Sequence, residues 1–287
     1  MPARPVVVDT IAGIRAAVAG ARAEGRGVAL VPTMGALHAG HLSHVERVRD
    51  LDPAAFVVVS VFVNPLQFGA GEDFERYPRT LDDDVAKLAA VGADAVFAPS
   101  VAEMYPDGGA VVTVHAGAVG ATFEGAARPG HFDGALTAVA KLLHIVAPDS
   151  ATFGRKDAQQ LWLVERMVRD LDLPVRVVEI PIVREPGGLA MSSRNRYLSA
   201  AERDSALALS RALAAAESEA DAGIDAVLIA AQAVLAEEPG VEVGYFAVVD
   251  ATTFAPVPDG FRGPVIAIVA ARVGATRLID NARFRLG

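Results

Sequence analysis

The chain has 287 residues and a mass of 29.8 kDa, enough for about two domains. Hydrophobic residues make up 52% of it, which excludes a disordered polypeptide, and a net charge of −9 with a pI near 5.2 excludes non-specific binding to nucleic acid or anionic lipid. Cysteine is absent, which removes disulfides, thiol chemistry, iron–sulfur clusters and cysteine-ligated zinc. No basic segment followed by an apolar run and cleavage site opens the sequence, and the longest apolar stretch, residues 54–63, is short of the roughly 20 residues of a membrane span. The expectation is a soluble cytoplasmic protein with neither membrane nor nucleic acid as partner.

Strand-like and helix-like stretches alternate through the first part. Residues 5–8 read as a short strand, and 10–24 as an Ala-rich helix stopped by Gly25 and Gly27. Residues 28–31 are a buried strand, 40–50 a helix with Leu42, Val45 and Val48 at helical spacing, and 56–63 a β-branched, fully buried strand. There follow a helix at 81–91, a strand at 95–98, a helix at 134–146, a strand at 151–154, a helix at 158–171 and a strand at 174–180. This alternation predicts a doubly wound, Rossmann-like parallel sheet covered on both faces. The pattern changes after Val183. A turn-rich Glu185-Pro-Gly-Gly188 precedes a capping box at Ser199 and Glu202, a long helix, and a second helix at 225–236. Strand-like runs at 241–249, 265–271 and 276–279 complete a smaller α+β unit. The expected domains are therefore 1–182 and 183–287.

The densest chemical signal is Pro32-Thr-Met-Gly-Ala-Leu-His-Ala-Gly-His41, where a buried strand gives way to a helix. Three of the six histidines, His38, His41 and His44, lie within seven residues. His38 and His41 can share one face of a first helical turn, and Gly40 lets a flat base or a phosphate approach the backbone. Free N–H groups at the helix N-terminus favour an anion, and imidazoles there can stabilise charge on a leaving group. A metal pair is the weaker alternative, because no third ligand lies nearby.

Lysine occurs only at Lys87, Lys141 and Lys156. Lys156, in Gly154-Arg-Lys-Asp157 at a strand end, can bind phosphate as a point charge, and Asp157 can take a ribose hydroxyl or cap the helix. Met191-Ser-Ser-Arg194 offers two hydroxyls and a guanidinium in a loop that can grip and release a triphosphate, or can simply lead into the capped helix. Asn64 and Gln67 follow the most buried strand and can fix a hydroxyl or carboxylate; Gln160 can converge on the same pocket. Phe62 and Met34 offer an apolar wall, or plain core packing. The acids Asp82, Asp83 and Asp84 complement the dipole of the helix that follows.

His-x-Gly-His after a first strand resembles the nucleotidylyltransferase superfamily. The string 32–41 is similar to one family within it, the pantoate–β-alanine ligases. Four more segments match that family in order: Phe62-Val-Asn-Pro-Leu-Gln-Phe-Gly69, Tyr77-Pro-Arg-Thr-Leu-Asp-Asp-Asp84, Phe153-Gly-Arg-Lys-Asp-Ala-Gln-Gln160 and Met191-Ser-Ser-Arg-Asn-Arg-Tyr-Leu198. The resemblance implies ATP-dependent joining of pantoate to β-alanine through a pantoyl adenylate, with Mg²⁺ accompanying the ATP and a homodimer as the assembly. It carries ATP contacts onto Met34, Gly35, Ala36, Leu37, His38, Ala39, Gly40 and His41. It does the same for Gly154, Arg155, Lys156, Asp157, Val183, Met191, Ser192, Ser193 and Arg194.

His38, His41, Lys156, Ser192, Ser193 and Arg194 become the expected catalytic groups, and Asp83 and Asp84 the expected Mg²⁺ ligands. Pantoate and β-alanine fall to Phe62, Asn64, Gln67, Gln160 and Met34. Arg128 and His131, in a segment that resembles the family's site entrance, carry low weight as direct ligands. Relatives often have glutamate where this chain has Ala39 and Arg155, which alters local electrostatics without removing a reactive group. The alternatives are another adenylyltransferase of the superfamily and a catalytically silent nucleotide-binding protein.

Overall fold

A computed structural model describes residues 4–69, 71–72 and 74–287. The chain divides into two compact units, residues 1–154 with 160–180, and residues 155–159 with 181–287.

The first unit is built on six parallel strands: β1 (Val6–Val8), β2 (Val28–Thr33), β3 (Phe56–Val61), β4 (Ala95–Phe97), β5 (Ser150–Gly154) and β6 (Arg176–Ile180), in the spatial order β1-β4-β3-β2-β5-β6. Its helices are α1 (Ile11–Ala23), α2 (Ala39–Leu51), α3 (Leu81–Ala90), α4 (Val101–Met104), α5 (Glu124–Ala127), α6 (His131–Val146) and most of α7 (Ala158–Asp170). The central strands are predominantly apolar because both of their faces are covered, with Thr33, Ser60 and Thr152 among the polar exceptions. Strand alternation sends Val28, Leu30 and Val58 into a core shared with α1, α6 and α7. Ala29, Val31, Val57 and Val59 enter a second core with α2 and α3 on the opposite face. This is the doubly wound parallel sheet that the alternation predicts.

From β2 the sheet is extended one way by β3 and β4 and the other way by β5 and β6. The order therefore reverses between β2 and β5, which pair in parallel through their amino-terminal residues (Ala29–Ser150 and Leu30–Ala151), so that both carboxyl ends leave the sheet at the same edge. In open α/β sheets that reversal opens the crevice where ligands bind.

The second unit packs α8 (Ala200–Ser218) and α9 (Ile224–Ala236) on a three-stranded antiparallel sheet of β7 (Val241–Asp250), β8 (Gly263–Val273) and β9 (Thr276–Leu286). The Ser199–Glu202 capping box is present: the Ser199 hydroxyl accepts the Glu202 N–H, and the Glu202 carboxylate accepts the Ser199 N–H at 2.7 Å. Strand β9 runs seven residues beyond the expected 276–279, to Leu286. Among the described residues, no helix is long and apolar enough to cross a membrane.

Candidate active site

The loop after β2 turns sharply before α2. Gly35 (φ +82°) and Ala36 (φ +52°) both sit in the left-handed region. Only glycine adopts that region without cost, so Ala36 must be held there by its surroundings. The N–H of Gly35 donates to the Thr33 hydroxyl (3.2 Å), and those of Ala36 and Leu37 donate to the Asp84 carboxylate (2.9 and 2.8 Å). The His38 N–H donates to Nδ1 of His41 (3.3 Å). The loop amides are thus engaged within the fold, and the donors left at the first turn of α2 are the N–H groups of Ala39 and Gly40.

His38 precedes α2 as its N-cap, and its ring lies 4.0 Å from that of His41. Because Nδ1 of His41 accepts a backbone N–H, a neutral His41 carries its proton on Nε2. His44, one turn further, turns to β5, where its Nδ1 meets the Thr152 hydroxyl at 2.9 Å.

The carboxyl end of β3 leads to the second cluster. Phe62 is buried among core residues. Asn64 is 2% exposed and caps the 3₁₀ turn Pro65–Gln67. Its Oδ1 accepts the Leu66 N–H and the Tyr105 hydroxyl (3.3 and 3.0 Å), and its Nδ2 donates to the Gly134 carbonyl at 3.0 Å. Burial pushes the Tyr105 phenol up to about 12, so it remains a proton donor to Asn64 at physiological pH. Asn64 therefore spends its amide chiefly on holding the turn.

The turn presents Gln67, whose side chain stays half-buried. The Gln67 carbonyl takes hydrogen bonds from Arg128 (3.4 Å) and from Nδ1 of His131 (2.9 Å). Arg128 is forked onto Glu72, with its Nε donating at 2.7 Å, and its Nη1 lies 3.2 Å from Nε2 of His131. The guanidinium of Arg128 holds the Glu72 carboxyl below its ordinary value. Sequence reasoning gave Arg128 and His131 little weight and passed over Glu72; an isolated glutamate in a loop carries no local signal of its partners.

Of the two acids expected to hold a metal, Asp83 is 70% exposed and pairs with Lys87 at 3.0 Å. Asp84 is fully buried against the loop amides. Gln160 lies half-buried on α7.

The second unit carries the remaining candidates. Lys156 is mostly covered, with its Nζ 3.9 Å from Asp157. The carbonyls of Arg155 and Lys156 both accept from Nδ2 of Asn281 on β9, each at 2.9 Å. Val183 accepts the Met191 N–H at 2.9 Å, closing a short hairpin whose turn places Gly187 and Gly188 at φ near +102° and +108°. Ser192 then caps the 3₁₀ helix Ser193–Tyr197 by accepting the Arg194 N–H at 3.2 Å. Asn195 anchors the far side through bonds to Glu185 and the Ala190 carbonyl. Ser192, Ser193 and Arg194 are half-buried on this turn.

The family model for pantoate–β-alanine ligase matches residues 6–283 of the chain. A pantothenate synthetase of Leifsonia xyli subsp. xyli is 58% identical over 90% of this chain and 89% of its own, and one of Thermobifida fusca is 56% identical over 90% of each. The crystal structure of pantothenate synthetase from Thermus thermophilus superposes with a TM-score of 0.89 at 50% identity, covering 96% of this chain and 98% of that one. A pantoate–β-alanine ligase from Francisella tularensis, complexed with β,γ-ATP and β-alanine, gives a TM-score of 0.77 at 29% identity over 97% of each chain.

Proposed function

From a chain that belongs to the pantoate–β-alanine ligase family we infer an ATP-dependent ligase that condenses (R)-pantoate with β-alanine to pantothenate. A carboxylate acylates poorly because its leaving group would be an oxide or hydroxide. Transfer of AMP from ATP supplies a good one: the pantoate oxygen bonds to the α-phosphorus and pyrophosphate departs. The β-alanine amine then bonds to the carbonyl carbon, AMP departs, and the amine proton goes to solvent.

The observation that carries the site assignment is the His41 ring, fixed by the His38 N–H at the carboxyl end of β2 where the strand order reverses. With Nδ1 engaged, Nε2–H is the donor to a phosphate oxygen, and His38 and the Ala39 and Gly40 amides add donors beside it. Gln67 binds the pantoate carboxylate or hydroxyl, with Gln160 as its companion and Met34 and Phe62 as the apolar wall. Lys156, Ser192, Ser193 and Arg194 counter the pyrophosphate charge. Gly154, Arg155, Asp157, Val183 and Met191 contribute to the nucleotide's surroundings.

The residues do not fit a magnesium ion held by the Asp83–Asp84 pair. Asp84 has no surface and both of its oxygens accept amide protons. Among the described residues, no group of three His, Asp or Glu side chains is arranged around a metal position. Mg²⁺ belongs in this reading as a companion of the ATP phosphates. A homodimer working in the cytoplasm completes the proposal.

Mass-spectrometric product analysis tests it, using protein, Mg-ATP and pantoate with and without β-alanine. Pyrophosphate and pantoyl adenylate form without the amine, and AMP and pantothenate form with it. Pyrophosphate without pantothenate would reject the acceptor. No pyrophosphate in either mixture would leave a silent nucleotide binder. Light scattering giving a single-chain mass would reject the dimer.

A further inference from the structure

We propose that Asp84 and Lys87 form a clamp that sets the catalytic loop, and that Asp84 is a positioning residue and not a metal ligand. Asp84 is 0% exposed, and a buried carboxylate requires hydrogen-bond donors around it. Three are present: the N–H groups of Ala36 (to Oδ2) and Leu37 (to Oδ1), and the Thr80 hydroxyl, which donates to Oδ2 at 3.2 Å. One turn along α3, Nζ of Lys87 donates to the Leu37 carbonyl at 3.0 Å. Leu37 is therefore held on both sides, its N–H by an anion and its carbonyl by a cation from the same helix. The next residue is His38, whose N–H orients the His41 ring. A continuous run of hydrogen bonds thus links α3 to the imidazole that faces the phosphates.

The loop needs this hold. Ala36 has φ +52°, a conformation that persists only where the surroundings over-determine it. Gly35 fits for the complementary reason: a Cβ there would lie 3.2 Å from Oδ2 of Asp84 and 3.0 Å from Val61. A cation bound by Asp84 would have to displace the amides that keep Ala36 in place. Asp83, 70% exposed, lies outside the contacts to the loop amides and meets the arrangement only through its surface pair with Lys87.

The inference rests on the ligase reading only for its kinetic readout. Asp84→Asn presents one oxygen and one amino group to two N–H donors, so one hydrogen bond is lost. Amide exchange at Ala36 and Leu37, measured by NMR without nucleotide or metal, should accelerate roughly 10- to 100-fold while Leu30 in β2 is unchanged. The adenylation kcat should fall about 10- to 100-fold, with the KM for ATP and the half-saturating Mg²⁺ concentration within about twofold of wild type.

Lys87→Met, at a partly exposed position, removes the carbonyl hold together with the solvent-exposed pair to Asp83, and covers the case in which Asp84→Asn fails to fold. It should lower kcat roughly 3- to 10-fold at unchanged Mg²⁺ dependence and speed exchange at Leu37 and His38. A tenfold rise in half-saturating Mg²⁺ for Asp84→Asn, with loop exchange as in wild type, would overturn the proposal. So would a Lys87→Met protein with wild-type exchange and kcat. If the wild type itself makes no pyrophosphate, the ligase reading fails, and the exchange data still decide the clamp.

Discussion

Replacing Gly134 with alanine puts one methyl group where the structure has no room. Gly134 lies in the first turns of α6, against the turn that carries Gln67. A Cβ built there falls 1.9 Å from the Leu66 carbonyl oxygen, 2.3 Å from its carbon and 2.8 Å from the Gln67 nitrogen. All three are backbone atoms, so no side-chain rotation relieves the overlap. Ordinary contact begins at 3.4 Å, and 3.4 minus 1.9 requires the turn and the helix to separate by about 1.5 Å. That movement also pulls on the Asn64–Gly134 hydrogen bond.

Overpacking of this kind costs about 1–3 kcal/mol or more, against a helix-propensity gain of roughly 1 kcal/mol for alanine. The functional cost is larger, because a displacement of about 1 Å in a positioning group can lower turnover about 100-fold. Gly134→Ala should therefore melt a few degrees lower, keep its far-ultraviolet circular dichroism, and lose about two orders of magnitude in kcat/KM for pantoate. Gly20→Ala in α1, where nothing lies within 4 Å of the added carbon, is the control and should be neutral or slightly stabilising. A Gly134→Ala protein within about twofold of wild type in kcat/KM would refute the claim that this packing positions Gln67.

His41→Ala should lower the adenylation rate about 100- to 1000-fold with the melting temperature preserved, as read by pyrophosphate release. Near-normal release would remove His41 from the phosphate site. Gln67→Ala should raise the KM for pantoate about 10- to 100-fold and leave the KM for ATP within about twofold; an equal change in both would argue for a disturbed loop. Glu72→Gln tests the pair with Arg128. The Glu72 pKa is lowered in the folded state, so its stabilisation is full above its ordinary value of 4.5 and fades as pH falls through the lowered one. The melting-temperature gap between wild type and Glu72→Gln should be constant near neutral pH and close below about pH 4.5; a gap independent of pH would mean that the charge contributes nothing.

The sheet was legible because its central strands are dominated by short apolar, β-branched runs and its helices carry clear stop signals. Strand β9 was under-read because, after Ile279, it carries Asp280, Asn281, Arg283 and Arg285. Exposed Arg283 and Arg285 alternate with Phe284 and Leu286, the pattern of a sheet with one wet face, which a search for apolar runs misses. Asn64 illustrates a different limit. The Asn-Pro step already marks a cap with proline at the first turn position, yet the partners that occupy its amide, Tyr105 and Gly134, lie 41 and 70 residues away. Asp84 was grouped with two acids that look identical in sequence. Helical rotation alone decides that one of the three faces the loop and its neighbour faces water.

The division of the chain into units has a practical consequence. Residues 155–159 belong to the second unit although more than twenty residues of the first, 160–180, follow them. A scission at 180/181 would therefore leave Lys156 on the wrong fragment. It would also strip the Arg155 and Lys156 carbonyls of the Asn281 amide that both share. Neither half is a self-sufficient cassette. Fragment complementation or domain grafting in this scaffold has to treat the pentapeptide as cargo of the carboxyl-terminal piece, either by re-routing the chain around it or by moving both parts together.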